Sequence, residues 1–176
     1  MQRVLSCKIG IAEYQAGFSN MRIDPPSRCT VCGCAKFHKW GTYERYVIEE
    51  TAEYQIPIQR FRCVKCHKTY SYLPSFCLSG LYYSADLAMK ILSALLLKIR
   101  FELGEMRRRA YILLRRFARL ESLWITFLRA KGFGDFPRDK KERDVKIFVA
   151  LLNQRHDKDF AATFLEETGR HFMAVK

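Results

Sequence analysis

The chain has 176 residues, of which 49% are hydrophobic and 14% aromatic, so it can build one ordinary core or two small modules. This composition excludes wholesale disorder. The net charge of +13 favours a polyanionic partner, nucleic acid first and an anionic membrane second. The basic surplus precedes residue 135, because residues 135–176 carry nine basic and eight acidic side chains.

The first 24 residues form a weakly patterned segment that ends at Pro25-Pro26, where helix propagation is blocked. Arg3, Lys8 and Glu13 interrupt its apolar residues, which is unlike a signal peptide. The most apolar stretch, residues 87–99, falls short of the roughly 18 to 20 residues that span a bilayer. We therefore predict a cytoplasmic protein with no membrane partner.

Two C-x-x-C pairs dominate the next segment, residues 25–80: Cys29 with Cys32, and Cys63 with Cys66. Four thiolates in this pairing are preferred tetrahedral ligands of zinc. The alternative is a redox dithiol, but neither pair is surrounded by a thioredoxin-like βαβ pattern. The second cysteine of each pair precedes Gly33 or His67, at a position where the tight turn favours a left-handed residue. Because four cysteines leave no open coordination position, we predict one structural zinc ion.

The remaining cysteines have other expected places. Cys34 and His38 lie close enough to the first pair in sequence to substitute as ligands, but we interpret Cys34 as a spare thiol beside the pair. Cys7 and Cys77 have no partner at metal-ligand spacing, and we predict that both are small core residues.

Two stretches rich in aromatic and β-branched residues, 39–48 and 52–63, predict the strands of a hairpin between the cysteine pairs. Tyr54, Ile56 and Ile58 fall on one face of the second strand. Pro57 predicts that this strand lies at an edge of its sheet. The ribbon module is expected to end at a turn containing Gly80.

From Ser84 the hydrophobic period becomes helical, with Ser84 as the predicted N-cap and residues 87, 91, 95 and 99 as the buried face. A second helical region, about 105–130, carries one apolar stripe that should pack on the first helix: Met106, Ala110, Leu113, Phe117, Leu120, Trp124 and Phe127. Two further amphipathic helices are predicted over 140–153 and 159–172. The expected fold is α+β: a small zinc-ribbon β-hairpin module, a basic helix-turn-helix-like region over 81–134, and C-terminal helices over 135–176.

Six arginines lie opposite the apolar stripe, with no acidic residue among them: Arg107, Arg108, Arg109, Arg115, Arg116 and Arg119. Guanidinium groups contact phosphates bidentately and read guanine edges, so this pattern is typical of a recognition helix in a major groove of double-stranded DNA. RNA is a second ligand class for the same residues, and a solvated helix face is the alternative interpretation.

The ribbon carries a second basic set, interleaved with Trp40, Tyr43 and Tyr46. We interpret it as an extension of the phosphate-contacting surface or as an ordinary ribbon exterior. Its members are Lys36, Lys39, Arg45, Arg60, Arg62, Lys65 and Lys68.

Residues 25–130 resemble the amino-terminal zinc ribbon and following helix-turn-helix segment of bacterial insertion-sequence transposases and small transposase-like proteins. The resemblance implies DNA recognition, with residues 84–99 and 105–120 as the two helices. The segments that carry it are Cys29-x-x-Cys32-Gly, Gly41-Thr-Tyr-Glu-Arg, Ile58-Gln-Arg-Phe-Arg-Cys63-x-x-Cys66 and Thr69-Tyr-Ser-Tyr-Leu-Pro74.

The catalytic part of such transposases resembles an RNase H fold with three carboxylates that hold two metal ions. The carboxylates after Gly134 lie in segments that predict helix or loop, with no run of strands to position them. We therefore expect a non-enzymatic, zinc-dependent DNA-binding protein: a regulator, an accessory protein or a remnant of a mobile element. The alternative is a zinc-stabilised module that docks a protein partner or a second copy, with exposed anchors at Phe133, Phe136, Phe160, Phe164 and Phe172.

Overall fold

The computed structural model describes residues 1–100, 107–154, 160–168, 170 and 173. In these ranges the fold is mixed, with a four-stranded sheet in the order β1-β4-β3-β2 and six α-helices. The strands are β1 (Gln2–Leu5), β2 (Phe37–Ile48), β3 (Glu53–Cys63) and β4 (Thr69–Pro74). The helices are α1 (Ile11–Gly17), α2 (Ala85–Leu96), α3 (Arg107–Arg119), α4 (Glu121–Ala130), α5 (Lys140–Gln154) and α6 (Phe160–Thr168).

Strands β2 and β3 form the antiparallel hairpin that the sequence predicts, with Phe37 paired to Cys63 and Ile48 to Glu53. Their register shifts between Lys39 and Thr42, where β2 holds one residue more than β3. Gly41 lies in this bulge at φ 70°, a conformation that favours glycine.

The edge-strand prediction from Pro57 is wrong, because β3 lies between β2 and β4. The steric reasoning still applies locally, since β4 pairs only with residues 60–62 of β3 and leaves Pro57 without a ladder partner on that side. Helix α1 covers this part of the strand. The Tyr14 hydroxyl donates to the Pro57 carbonyl at 3.1 Å, and the Gln15 amide donates to the Gln55 carbonyl at 2.9 Å.

Residues 1–24, which the sequence sets apart as a separate segment, supply strand β1 to the same sheet and helix α1, which packs on that sheet. Strand β1 runs parallel to β4, with Gln2 opposite Ser71 and Leu5 opposite Pro74. Helix α1 buries Ile11 and Tyr14 in a cluster with Ile56, Ile58 and Leu73 from the sheet. A four-residue strand gives too weak a periodic signal to predict, and pairing with β4 stabilises it.

Helix α2 begins as predicted: the Ser84 side chain accepts a hydrogen bond from the Leu87 backbone N–H at 3.0 Å. Leu87 and Ile91 are buried. Ile99 does not continue this face, because the helix ends at Leu96 and Ile99 is 54% exposed.

The second predicted helical region is divided into α3 and α4 at Leu120, whose N–H bonds to the carbonyls of both Arg116 and Phe117. The indole of Trp124 donates to the Phe117 carbonyl at 2.9 Å and so bridges the break. The described members of the apolar stripe are buried with residues of α2 in one core, whereas Met106 lies outside the described residues.

Helices α5 and α6 complete this core with Ile147, Phe148 and Phe164, which are fully buried. The prediction of Phe164 as an exposed anchor is therefore wrong. Phe133 and Phe136 are half-buried against the same core, while the side chains of Phe160 and Phe172 lie outside the described residues. None of the helices in the described ranges has the length and apolar character needed to cross a bilayer.

Candidate metal centre

The four predicted ligands, Cys29, Cys32, Cys63 and Cys66, meet at one end of the hairpin. Their Sγ atoms all lie within 4.8 Å of one another. The Cys29–Cys66 and Cys32–Cys63 pairs are separated by 3.5 and 3.6 Å. A tetrahedron with Zn–S bonds of about 2.3 Å needs sulfur atoms about 3.8 Å apart, so these four thiols are placed to hold a metal ion.

The two C-x-x-C turns have the same backbone geometry. In the first, the Gly33 N–H donates to the Cys29 carbonyl at 2.8 Å and the Cys29 N–H donates to the Cys34 carbonyl at 2.8 Å. In the second, His67 donates to Cys63 at 3.0 Å and Cys63 to Lys68 at 2.9 Å.

The residue after each pair adopts a left-handed conformation, with φ 70° at Gly33 and 59° at His67. This agrees with the sequence expectation for both turns. A positive φ costs little free energy at glycine and more at histidine. The surrounding fold must therefore offset a larger backbone cost at His67 than at Gly33.

Backbone N–H groups point at the sulfur atoms, an arrangement that stabilises thiolate ligands. The N–H groups of Val31 and Cys32 bond to the Cys29 sulfur, and those of Lys65 and Cys66 bond to the Cys63 sulfur. The Cys66 N–H is the main cause that lowers the pKa of Cys63. The matching donors in the two turns favour a charged sulfur at the first cysteine of each pair, Cys29 and Cys63.

Tyr70, in β4, is a member of the site that the sequence reasoning missed. Its hydroxyl lies 3.2 Å from the Cys29 sulfur, and this contact is the main cause that lowers the pKa of Cys29 to about 6. The same oxygen accepts from the Thr30 N–H at 2.9 Å, while the ring meets Phe37 edge-on at 5.5 Å between centroids. The only sequence signal is an aromatic residue four positions after Cys66, which by itself also fits a core role.

The other three cysteines do not join this group. Cys34 exchanges hydrogen bonds with the Lys36 backbone, at 3.4 Å from its N–H. Cys77 is buried among the residues that α1 covers, and Cys7 packs against that cluster half-buried. His38 is exposed on β2.

The predicted DNA-contacting arginines of α3 differ in their surroundings. Arg115 and Arg119 are exposed, on the side of α3 away from buried Leu113 and Phe117. Arg116 is half-buried and donates to backbone carbonyls of the turn at Ser79 and Gly80. The side chains of Arg107, Arg108 and Arg109 lie outside the described residues.

The predicted basic residues of the ribbon also divide into two groups. Arg45 is half-buried and donates to the carbonyls of Leu78 and Leu81 at 2.6 and 2.7 Å. Arg60 and Arg62 are half-buried and lie over the rings of Tyr43 and Trp40. The lysines are exposed: Lys36, Lys39, Lys65 and Lys68.

Comparison with known proteins gives one family match, to a domain of unknown function (DUF6431), over residues 29–109. The matched range begins at Cys29, contains the other three candidate ligands and α2, and ends in the first turn of α3. No curated protein and no solved structure matches the chain. The match covers 81 of the 176 residues and includes strands β2 to β4.

Proposed function

We propose that this protein is a non-enzymatic, zinc-dependent DNA-binding protein, related to the DNA-recognition part of a transposase. In this proposal the four-cysteine group holds one structural zinc ion, and α2 with α3 forms a helix-turn-helix-like unit. The ligand of α3 is double-stranded DNA. The protein acts as a regulator, an accessory protein or a remnant of a mobile element.

The observation that carries the proposal is the two-sided character of α3. One side is buried against α2 through Ala110, Leu113 and Phe117. The other side exposes Arg115 and Arg119, and no acidic residue occurs anywhere in the helix. A basic helix held by its apolar side against a preceding helix fits the docking geometry of a recognition helix in a major groove.

Neither exposed arginine has an acidic partner within salt-bridge distance among the described residues. By contrast, basic residues of α5 such as Lys140 and Arg143 pair with Glu121. Unpaired guanidinium groups attract phosphate at long range and release counterions on contact, which makes the affinity depend steeply on salt.

The zinc ion would stabilise the ribbon that supports these helices. The four sulfur atoms come from the loop before β2, the end of β3 and the turn that follows β3. The cluster of buried residues there is small: Cys29, Cys63 and Tyr70. Binding of a structural metal ion contributes directly to the free energy of folding in such sites. DNA binding should therefore require zinc although no DNA contact passes through the metal.

The test is a titration of zinc-loaded, full-length protein with labelled duplexes at several salt concentrations, one random and one from the flanks of its own gene. The double variant Arg115→Ala/Arg119→Ala should weaken binding to both duplexes. It should also reduce the magnitude of the slope of log K against log salt by about 2, since each phosphate contact contributes about 0.9.

The matched control is Arg129→Ala/Lys141→Ala, which removes two exposed positive charges from α4 and α5. It should leave the salt slope within error of the wild type. An equal loss in both double variants would mean that only the net charge matters, and no duplex binding at low salt would refute the proposal.

A second candidate function rests on two apolar side chains of the same helix face. Tyr111 and Ile112 are 58% and 50% exposed beside Arg115. This exposure favours a zinc-stabilised module that docks a protein partner through α3. Under that hypothesis Tyr111→Ala/Ile112→Ala abolishes docking, whereas Arg115→Ala/Arg119→Ala leaves duplex affinity and its salt dependence unchanged.

A further inference from the structure

A second aromatic and basic surface lies on the ribbon, away from α3 in the chain. The Trp40 side chain is 45% exposed. The Arg62 guanidinium lies 4.4 Å from the centroid of its ring, and Arg62 Nε donates to the His67 carbonyl at 3.3 Å. We name this pair, Trp40 and Arg62, the ribbon platform. The guanidinium lies over one side of an indole that is still nearly half exposed, and an exposed aromatic ring beside a cation is the kind of surface on which nucleobases stack.

The backbone holds Trp40 in place through the bulge in β2. Trp40 lies where the register shifts, next to Gly41 at φ 70°. Gln59, which is only 2% exposed, donates its side-chain amide to the carbonyls of Gly41 at 3.0 Å and Arg60 at 2.8 Å. A buried amide that satisfies the bulge carbonyl makes the bulge a specified feature, and bulges commonly redirect a side chain at functional sites.

The charge around the ribbon platform suits a phosphate backbone. Lys39 is exposed next to Trp40 in the chain, and exposed Lys65 and Lys68 follow Arg62 on the far side of Cys63. No acidic side chain lies within salt-bridge distance of these lysines among the described residues. Positive charge beside an exposed aromatic ring is the combination that binds single strands with little sequence preference.

We propose that the ribbon platform binds single-stranded DNA by stacking an unpaired base on Trp40. In a duplex each base face is covered by its neighbours, so a flat ring outside the helix gains stacking only from an unpaired base. This proposal rests on the proposed function in one respect, that the ligand is DNA. It assigns a separate site and a separate form of DNA, so the two can fail independently.

The two tryptophans supply the test. Trp40 is exposed and Trp124 is fully buried, so quenching of intrinsic fluorescence by a ligand at the surface reports on Trp40. Zinc-loaded, full-length protein is titrated with oligothymidylate and with an abasic oligomer of the same length, which carries the phosphates but no bases. Both oligomers carry a fluorescent label, so that anisotropy gives the affinity and Trp40 quenching reports the stacking. Oligothymidylate should quench the emission and bind about tenfold more tightly than the abasic oligomer.

Trp40→Ala should lose this tenfold preference while its affinity for the abasic oligomer stays unchanged, because the phosphate contacts remain. Trp40→Phe should retain much of the preference, which separates stacking from any effect on folding. The matched control is Tyr46→Ala, since Tyr46 is an aromatic residue of β2 that is 54% exposed. It pairs with Gln55, which by the alternation along β3 lies on the sheet face opposite to Arg62 of the ribbon platform.

Equal affinity for oligothymidylate and the abasic oligomer, or binding without quenching, would overturn the proposal. The double variant Arg115→Ala/Arg119→Ala separates this proposal from the function proposed for α3. If that double variant loses duplex binding and keeps the tenfold preference, both proposals are supported. If it binds duplex like the wild type and still shows the preference, only the function proposed for α3 fails.

Discussion

Arg45 and Arg116 hold the same turn from two different elements. Arg45 in β2 donates to the carbonyls of Leu78 and Leu81, and Arg116 in α3 donates to the carbonyls of Ser79 and Gly80. Four consecutive carbonyls between the ribbon and α2 thus accept from two guanidinium groups. This arrangement connects the ribbon to the helical core through the intervening turn, and it gives both arginines a structural role.

Loss of either arginine should therefore lower stability. Arg45→Ala is expected to reduce the free energy of unfolding by about 1.5–3 kcal/mol. It removes two hydrogen bonds from a charged donor and leaves the Leu78 and Leu81 carbonyls without that donor. Arg119→Ala, on the exposed face of α3, should change it by less than about 0.5 kcal/mol. Urea denaturation of the zinc-loaded protein measures both. A smaller effect for Arg45→Ala than for Arg119→Ala would show that the turn is not held by this contact.

The metal centre predicts a contrast between cysteines. Cys63→Ser should lose the bound metal and with it the ordered ribbon, because metal binding contributes about 10–16 kcal/mol in comparable small zinc sites. Cys34→Ser should keep one zinc ion per chain, since the Cys34 sulfur bonds to the Lys36 backbone and does not belong to the four-sulfur group. Metal content by atomic emission and hydrogen exchange of residues 63–70 measure the two effects. Full zinc occupancy in Cys63→Ser would refute the ligand assignment.

The left-handed residue of the first turn predicts a backbone effect. Gly33→Ala should destabilise the zinc-loaded protein by about 1–2 kcal/mol, because alanine at φ 70° meets the steric cost that glycine avoids. Nothing lies within 4 Å of a Cβ at Gly33, so the cost comes from the backbone and not from a clash. Gly134→Ala, where a Cβ also meets nothing and φ is not positive, is the control. Thermal denaturation of both variants should separate them.

Buried Cys77 predicts a loss of stability at alkaline pH. Burial raises the pKa of Cys77 from its ordinary value near 9 to about 12. Between these values the unfolded chain releases the proton while the folded chain keeps it, so stability falls as pH rises, by at most about 1.4 kcal/mol per pH unit. Below about pH 9 both states keep the proton and the effect vanishes.

Cys77→Ala should accordingly show a shallower fall in the free energy of unfolding above pH 9 than the wild type. Burial raises the pKa of Cys7 to about 11 as well, so Cys7→Ala should act in the same direction. Cys34→Ala serves as the control from outside this cluster. Parallel pH profiles for Cys77→Ala and the wild type would contradict the prediction.

Some features of the molecule could be predicted because their causes lie within a few residues in the chain. The Ser84 cap, the left-handed turns at Gly33 and His67, and the buried stripe from Ala110 to Phe127 all follow from local backbone sterics or helical spacing. The four candidate ligands also belong here, because the C-x-x-C spacing itself brings two sulfur atoms to one point.

The sequence alone determined which cysteines can share a metal ion and which face of each helix is apolar. Other features depended on residues far apart in the chain. Only the tertiary structure decided that β1 joins the sheet, that Tyr70 reaches the Cys29 sulfur across forty-one residues, and that Arg45 and Arg116 bind a turn instead of facing solvent. Hydrogen-bond partners of long polar side chains depend on which backbone groups the folded chain brings near, and no local pattern of residue types specifies them.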